Sequence, residues 1–465
     1  MRPSLKVTAA ILPALLLAAC AGFSTDGGMD RVSQLSRDRL GQAPLRQDAT
    51  QATLASRLAD LLARPLTPDA AVELALLNNR ALQASLAELH IAEAELVQAG
   101  RMSNPGFSFG RLRTGQELEI DRGIFINLGS LISMPLRQAV EQRRFERAQL
   151  DAAGRVVNLA AEVRRAYFNA IAAQQSAHYL SQVVDAAEAG AELARRLARA
   201  GNWSQLDAAR ERAFYAEAIA QLARARQNAL AAREHLTRLL GLWGDHIYFQ
   251  LPERLPDLPQ APQEIHHAES QAMERRLDLQ VARSETEATA AALGLTNAVR
   301  FVNVLELGYV NRSETDKPRG NGYEVGFQLP VFDWGTARQR RAEAIYMQSV
   351  HLAADAAIRA RSQVRESYLA YRTAYDLARH YRDEVVPLRK RISEELLLRY
   401  NGMLVGTFEL LADAREQVGA VSAAIEAQRD FWVAQTGLQA AISGTGGAPA
   451  VFQSSRAAAP APAAH

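Results

Sequence analysis

The chain has 465 residues, too many for one ordinary compact domain unless it is elongated or repetitive. Its 53 Lys and Arg against 51 Asp and Glu leave a formal charge of +2 without any basic run, which excludes an electrostatic footprint for nucleic acid. Lysine occurs only as Lys6, Lys317 and Lys390, so arginine carries the positive charge, a bias that reports codon usage more readily than function.

The first element is a secretory signal over residues 1–19. Arg2 and Lys6 precede a mostly apolar run from Val7 to Leu17, too short for a span of about 20 residues. Leu17-Ala18-Ala19-Cys20 resembles the bacterial lipobox, which implies acylation of Cys20 and its place as the first residue of the mature chain. Cys20 is the only cysteine, so no disulfide within the chain competes for it. An ordinary signal peptide with an incidental cysteine is the plainer alternative. Ala21 rather than aspartate follows, which by resemblance favours delivery to the outer membrane. Loss of residues 1–19 removes two positive charges and takes the formal charge from +2 to 0. Residues 20–65 begin with the polar "AGFSTDGGMDRVSQ" and read as a mobile tether, and the Ala- and Pro-rich 445–465 as a disordered tail.

Between the ends the chain is duplicated, with one copy over 66–241, a Pro-rich linker over 242–270, and a second copy over 271–444. Pro135 with Arg143 matches Pro330 with Arg338, "VRRAYF" from Val163 matches "VRESYL" from Val364, Ser204 matches Thr407, and Gly241 matches Gly444. No proline lies between Pro135 and Pro252, and only Pro387 lies between Pro330 and Pro449, which permits exceptionally long helices. One is expected from about Arg137 to Ala200, and Pro387 is expected to kink another. Tyr215, Ile219, Leu222, Ala225, Ala229, Ala232, Leu236 and Leu239 keep coiled-coil spacing, as do Val418, Val421, Ile425 and Trp432. Such stripes also suit an ordinary helix-bundle core.

Each copy places a β-like region before its long helices. Strands are expected near Gly106–Arg113 and Gly123–Met134, joined by "TGQELEIDR", and over Val302–Arg312 and Tyr323–Phe332, joined by "SETDKPRGN". Alternation over about ten residues fits tilted strands of a membrane barrel. Four strands cannot close one, and open edges are intolerable in lipid, so a cyclic oligomer is expected to close it.

The lipobox, "LTPDAAVELALLNNRAL" from Leu66, "NPGFSFG" from Asn104, "LPVFDWGTARQRRAEA" from Leu329 and the two Gly-then-Ser/Thr reversals together resemble TolC-like outer-membrane efflux proteins, over about residues 66–444. The resemblance implies a mainly α fold with a transmembrane β part. Duplicated long helical hairpins would form a trimeric α-barrel tunnel, and four strands per chain would contribute to a 12-stranded β-barrel. It implies an outer-membrane channel of a tripartite export system, a homotrimer partnered by a periplasmic adaptor and an inner-membrane pump. Departures are Arg276-Leu277-Asp278-Leu279 in place of Arg-Pro-Asp-Leu, and no proline after Asn297 to match Pro105. The reversals "LARAGNWSQLDAARER" and "LLRYNGMLVGTFELLADAREQ" become periplasmic tips, where a resting tunnel must close. Asp207, Arg399, Tyr400, Glu409 and Asp413 are the gate candidates, and Leu410 stands where the family's neighbouring aperture acid falls. Glu409 and Asp413 can equally complement a helix dipole, and Ser204 and Thr407 are plainly N-caps. Trp203, Met403, Leu404, Val405 and Phe408 are candidates for docking the adaptor, or for local tip packing.

No chemistry of an enzyme is legible. The nine histidines are scattered, with His266-His267 adjacent but without metal-site spacing, and no phosphate loop or nucleophile elbow occurs. No cofactor is expected, and metal ions, drugs and polypeptides all stay open as cargo. A periplasmic adaptor would carry one hairpin rather than two, and a structural coiled-coil lipoprotein would lack paired strands.

Overall fold

The computed structural model describes residues 22–43, 51–299, 305–329 and 331–444. Cys20, the signal, the tail after Gly444 and Pro330 lie outside the described residues. Four shorter helices come first: α1 (Met29–Leu40), α2 (Gln51–Leu62), α3 (Pro68–Asn78) and α4 (Arg80–Ala99). Strands β1 (Gly106–Thr114) and β2 (Glu117–Asn127) then lead into the 72-residue helix α5 (Leu128–Arg199) and its partner α6 (Gln205–Leu240). The order repeats with α7 (Ala268–Arg275), α8 (Leu277–Val299), β3 (Leu305–Glu314), β4 (Gly320–Phe327), α9 (Thr336–His380), α10 (Val386–Asn401) and α11 (Thr407–Ser443). The chain divides into two compact units, each assembled from separated stretches.

The first unit comprises the described residues of 22–35, 84–153 and 277–358. Its four strands form one antiparallel sheet in the order β1-β2-β3-β4. The strand boundaries correct the sequence reading. The connection "TGQELEIDR" is mostly strand, because a tight turn at Gly115-Gln116 suffices and β2 starts at Glu117. At its far end β2 stops at Asn127 rather than Met134. The Asn127 side chain accepts the Ser130 amide at 2.7 Å, an N-cap that starts α5 nine residues earlier than Arg137. Pro135 therefore lies inside the helix, and in the turn before it Arg137 and Ser133 side chains donate to the carbonyls of Ser130 and Gly129 at 2.6 and 2.9 Å. In the second half β4 ends at Phe327, and "VFDWG" is irregular until α9 starts. Helix packing in this unit is joined by ion pairs of Arg147 with Glu285 at 2.5 Å and Arg143 with Glu287 at 3.2 Å, and by a buried Thr289–Ser349 hydroxyl contact at 2.8 Å.

The tether reading also needs correction. Residues 29–40 form α1, and Met29, Val32 and Leu35 are buried. The Ser24 amide and hydroxyl both donate to Glu93, at 2.6 and 2.5 Å. Spacing of three between the three apolar residues gives the segment one apolar face, which its polar composition concealed.

The second unit comprises the described residues of 36–83, 154–276 and 359–444. Tyr371, Tyr375 and Phe431 anchor a core with Val364, Ala374, Ala378, Ala434 and Leu438. Phe168 stacks on Trp432 with ring centres 5.3 Å apart. The inter-repeat linker has almost no regular structure, so side chains satisfy its backbone. Trp432 Nε1 donates to the Pro256 carbonyl at 3.0 Å, the Tyr375 hydroxyl to the Gln260 carbonyl at 2.8 Å, and the Gln263 amide to the Tyr371 hydroxyl at 2.8 Å. Burial pushes the Tyr167 phenol up to about 12 while it donates to the Leu66 carbonyl at 2.8 Å.

Two helical details differ from expectation. Of the α6 seam, Leu222 and Leu236 are buried, whereas Ile219 is exposed and the buried stripe runs through Glu211, Ala218 and Leu222. At Pro387 the chain widens into a π-turn over Tyr381–Val385 and continues as α10. Proline has no amide to donate and its ring crowds the carbonyl four residues back, Asp383, so the wide turn accommodates both defects.

Candidate functional site

The two reversals close by the same hydrogen-bond pattern. In the first, Asn202 N bonds the Leu197 carbonyl at 2.9 Å and Gly201 N bonds Ala198 at 3.2 Å, with Gly201 at φ 77°. In the second, Leu404 N bonds Arg399 at 2.8 Å and Met403 N bonds Tyr400 at 2.9 Å. The residue in the left-handed seat is thus Met403, at φ 61°, and not Gly402, whose φ is −81°. A side chain there costs about 1–2 kcal/mol. Ser204 caps α6, its hydroxyl accepting the Asp207 amide at 3.0 Å. The cap of α11 is Gly406, so Thr407 is the first helical residue instead of the N-cap.

The gate candidates fall into two groups. Asp207 is held by the Ser204 hydroxyl at 2.6 Å and Arg210 at 3.3 Å, Arg399 pairs with Glu395 at 3.0 Å on its own helix, and Glu409 accepts the Gly406 amide at 3.3 Å. These three make local contacts at the helix ends. Tyr400 is half-buried, and its carbonyl belongs to the turn. Asp413 is buried, with the Ser393 hydroxyl donating to it from α10. Among the docking candidates Met403 and Leu404 are 93% and 77% exposed, whereas Trp203 and Val405 are half-buried. Phe408 lies beneath the Arg210 guanidinium at 5.8 Å.

One buried ion pair near the tips escaped the sequence reading. Arg415 of α11 pairs with Glu211 of α6, whose side chain is only 2% exposed, and stacks over Phe214 at 4.8 Å. Just beyond, Val183, Ala187 and Ala218 form a small core with Phe214, Tyr215 and Val418 against it. A signal existed: the α6 seam read back four residues from Tyr215 lands on Glu211, a charge on an apolar stripe.

The sheet carries a second set of residues, sorted by its register. One face shows Phe107, Phe109, Ile124, Ile126, Leu307, Tyr309, Tyr323, Val325 and Phe327, with Arg111, Arg113 and Arg122 on the same face toward the hairpin turns. The other shows glycines at 106, 110, 123, 308, 320, 322 and 326 among six carboxylates, Glu117, Glu119, Asp121, Glu306, Glu314 and Glu324. Its one cation, Arg312, bonds Asp121 at 2.8 Å and Glu119 at 3.1 Å. An apolar face opposite a small, acidic one is the pattern of a strand set between lipid and water.

Residues 71–242 match the family model of outer membrane efflux proteins. The outer membrane channel CmeC of Campylobacter jejuni superposes with a TM-score of 0.70 at 16% identity, over 88% of this chain and 91% of that one. Over residues 71–242 the chain is thus similar to outer membrane efflux proteins, and its fold is that of the solved channel. Among curated relatives, the cobalt-zinc-cadmium resistance protein CzcC of Cupriavidus metallidurans is 28% identical over 278 residues, 58% of this chain and 64% of CzcC. The chain thus aligns with just under two thirds of that relative. Protein CyaE of Bordetella pertussis is 29% identical over 368 residues, 71% of this chain and 73% of CyaE. Among the described residues no helix is long and apolar enough to cross a membrane, and no group of three or more His, Cys, Asp or Glu could hold a metal ion.

Proposed function

We propose that the chain is the outer-membrane duct of a tripartite export system, acting as a homotrimer of two tandem modules, 66–241 and 271–444. The two-faced sheet carries this reading. Its β1 and β4 are open edges with apolar side chains on one face, a state that neither water nor lipid tolerates, and three copies joined edge to edge remove every edge. The acidic glycine-rich face then lines a wide aqueous lumen, and transport selects by width and lining charge rather than by a tight site. Cys20 supplies an acyl anchor. At the tips, Arg399 and Glu409 are the exposed charges available to neighbouring copies, while Asp207, Tyr400 and Asp413 set the shape of each tip. Met403 and Leu404 present an apolar surface to a periplasmic adaptor, and the half-buried Trp203 and Val405, with Phe408 under Arg210, are the further docking candidates. Native mass measurement of the detergent-extracted, acylated protein tests the assembly. A species of three chains supports the duct, and a stable monomer in a membrane-mimetic micelle contradicts it.

A further inference from the structure

Phe125 is the one aromatic on the acidic face of the four strands. It stands in a row with Gly106, Gly308 and Glu324 across the sheet, one step in from the end where the strands meet the helices. Its ring lies flat on the backbone instead of pointing away from it. A Cβ built on Gly308 would stand 2.5 Å from Phe125 Cε1 and closer still to Cδ1, and one built on Gly123 would stand 2.6 Å from Cε2 and 2.8 Å from Cζ. Both glycines are buried, whereas Gly106, Gly110, Gly320 and Gly322 on the same face are exposed. One edge of the ring therefore covers Gly308 and the other covers Gly123. Glycine interrupts a strand's packing, and a close approach by an aromatic is one reason for it to occur there.

We propose that Phe125 sets the passable width of the lumen at this level, and that Gly123 and Gly308 form a seat that keeps the ring against the wall. This rests on the trimeric-duct reading above. Three copies place three rings at one height, with Glu324 two strands away in the same row of the ladder. With the seat intact the rings are folded back. Fill the seat and the rings must swing inward, because the ladder backbone beneath them cannot move without breaking its register.

The test is thiol labelling by a bulky, membrane-impermeant maleimide added from outside intact cells. Two positions on the inner face are compared: Glu314→Cys, near the hairpin turns, and Glu306→Cys, on the helix side of Phe125. The parental chain supplies the Cys20 background. Glu314→Cys should react equally in every variant. Glu306→Cys should react, slow by roughly five-fold or more with Gly308→Ala, and recover when Phe125→Ala is added to that chain. Phe125→Ala alone should react at least as fast as its parent. Labelling at Glu306→Cys that ignores both Gly308→Ala and Phe125→Ala, with Glu314→Cys reactive throughout, overturns the proposal and leaves the duct reading standing. No labelling at either position overturns the duct reading itself.

Discussion

Removing Arg415 leaves the Glu211 carboxylate 2% exposed and without its ion-pair partner, at a place where two return helices meet. Breaking a fully buried ion pair by deleting one partner costs about 3–5 kcal/mol. The Arg415 side chain is 29% exposed, so solvent already screens part of this pair, and about 2 kcal/mol is the reasoned value. That corresponds to a roughly 30-fold rise in local opening. Arg415→Ala should therefore speed amide exchange about 30-fold in the first turns of α6 and α11, and leave the Tyr371–Phe431 core unchanged. Glu211→Ala should be milder, because the freed guanidinium can stay over Phe214 and reach water. A double-mutant cycle then isolates the coupling. Coupling below about 0.5 kcal/mol, or equal effects of the two single variants, would refute the view that this contact holds the hairpins together near their tips.

Other expectations follow from named contacts. Met403→Gly should stabilise the second reversal by about 1 kcal/mol, read by exchange at 399–406, while weakening capture of the adaptor, because strain and exposed thioether leave together. Glu306→Gln with Glu324→Gln should reduce cation over anion permeability, read as a reversal potential across a salt gradient; an unchanged potential would place these carboxylates outside the pore. Cys20→Ser should yield a chain without acyl mass that is extracted from membranes under milder conditions. Ser393→Ala should loosen the α10–α11 hairpin by about 1 kcal/mol, since the Asp413 carboxylate loses its donor in a buried position.

Much of the architecture was legible because it depends on repetition and on proline. The two long hairpins follow from proline-free runs, and the four strands from period-two alternation. Boundaries were less legible, since they turn on single capping contacts. Asn127 starts α5 early by accepting one amide, and Pro135 is tolerated where Arg137 and Ser133 reach back to nearby carbonyls. The α1 segment looked like a tether because only three apolar residues carry its burial. At the second tip the left-handed residue is Met403 rather than the glycine before it, a placement that no residue type in the stretch reports. The Glu211–Arg415 pair joins residues 204 positions apart, and no local pattern in the chain reports that distance. Phe125 was invisible for a similar reason: its seat combines Gly123 with Gly308 from another repeat, and only the register aligns them.

Single-channel conductance of the purified, acylated protein in planar bilayers, with Arg399→Ala and Glu409→Ala alongside, decides whether the chain is a duct closed at its tips. A small conductance that rises in the variants is the expected result for a duct held closed at its tips. A folded, acylated trimer that conducts in none of the three forms would contradict the account.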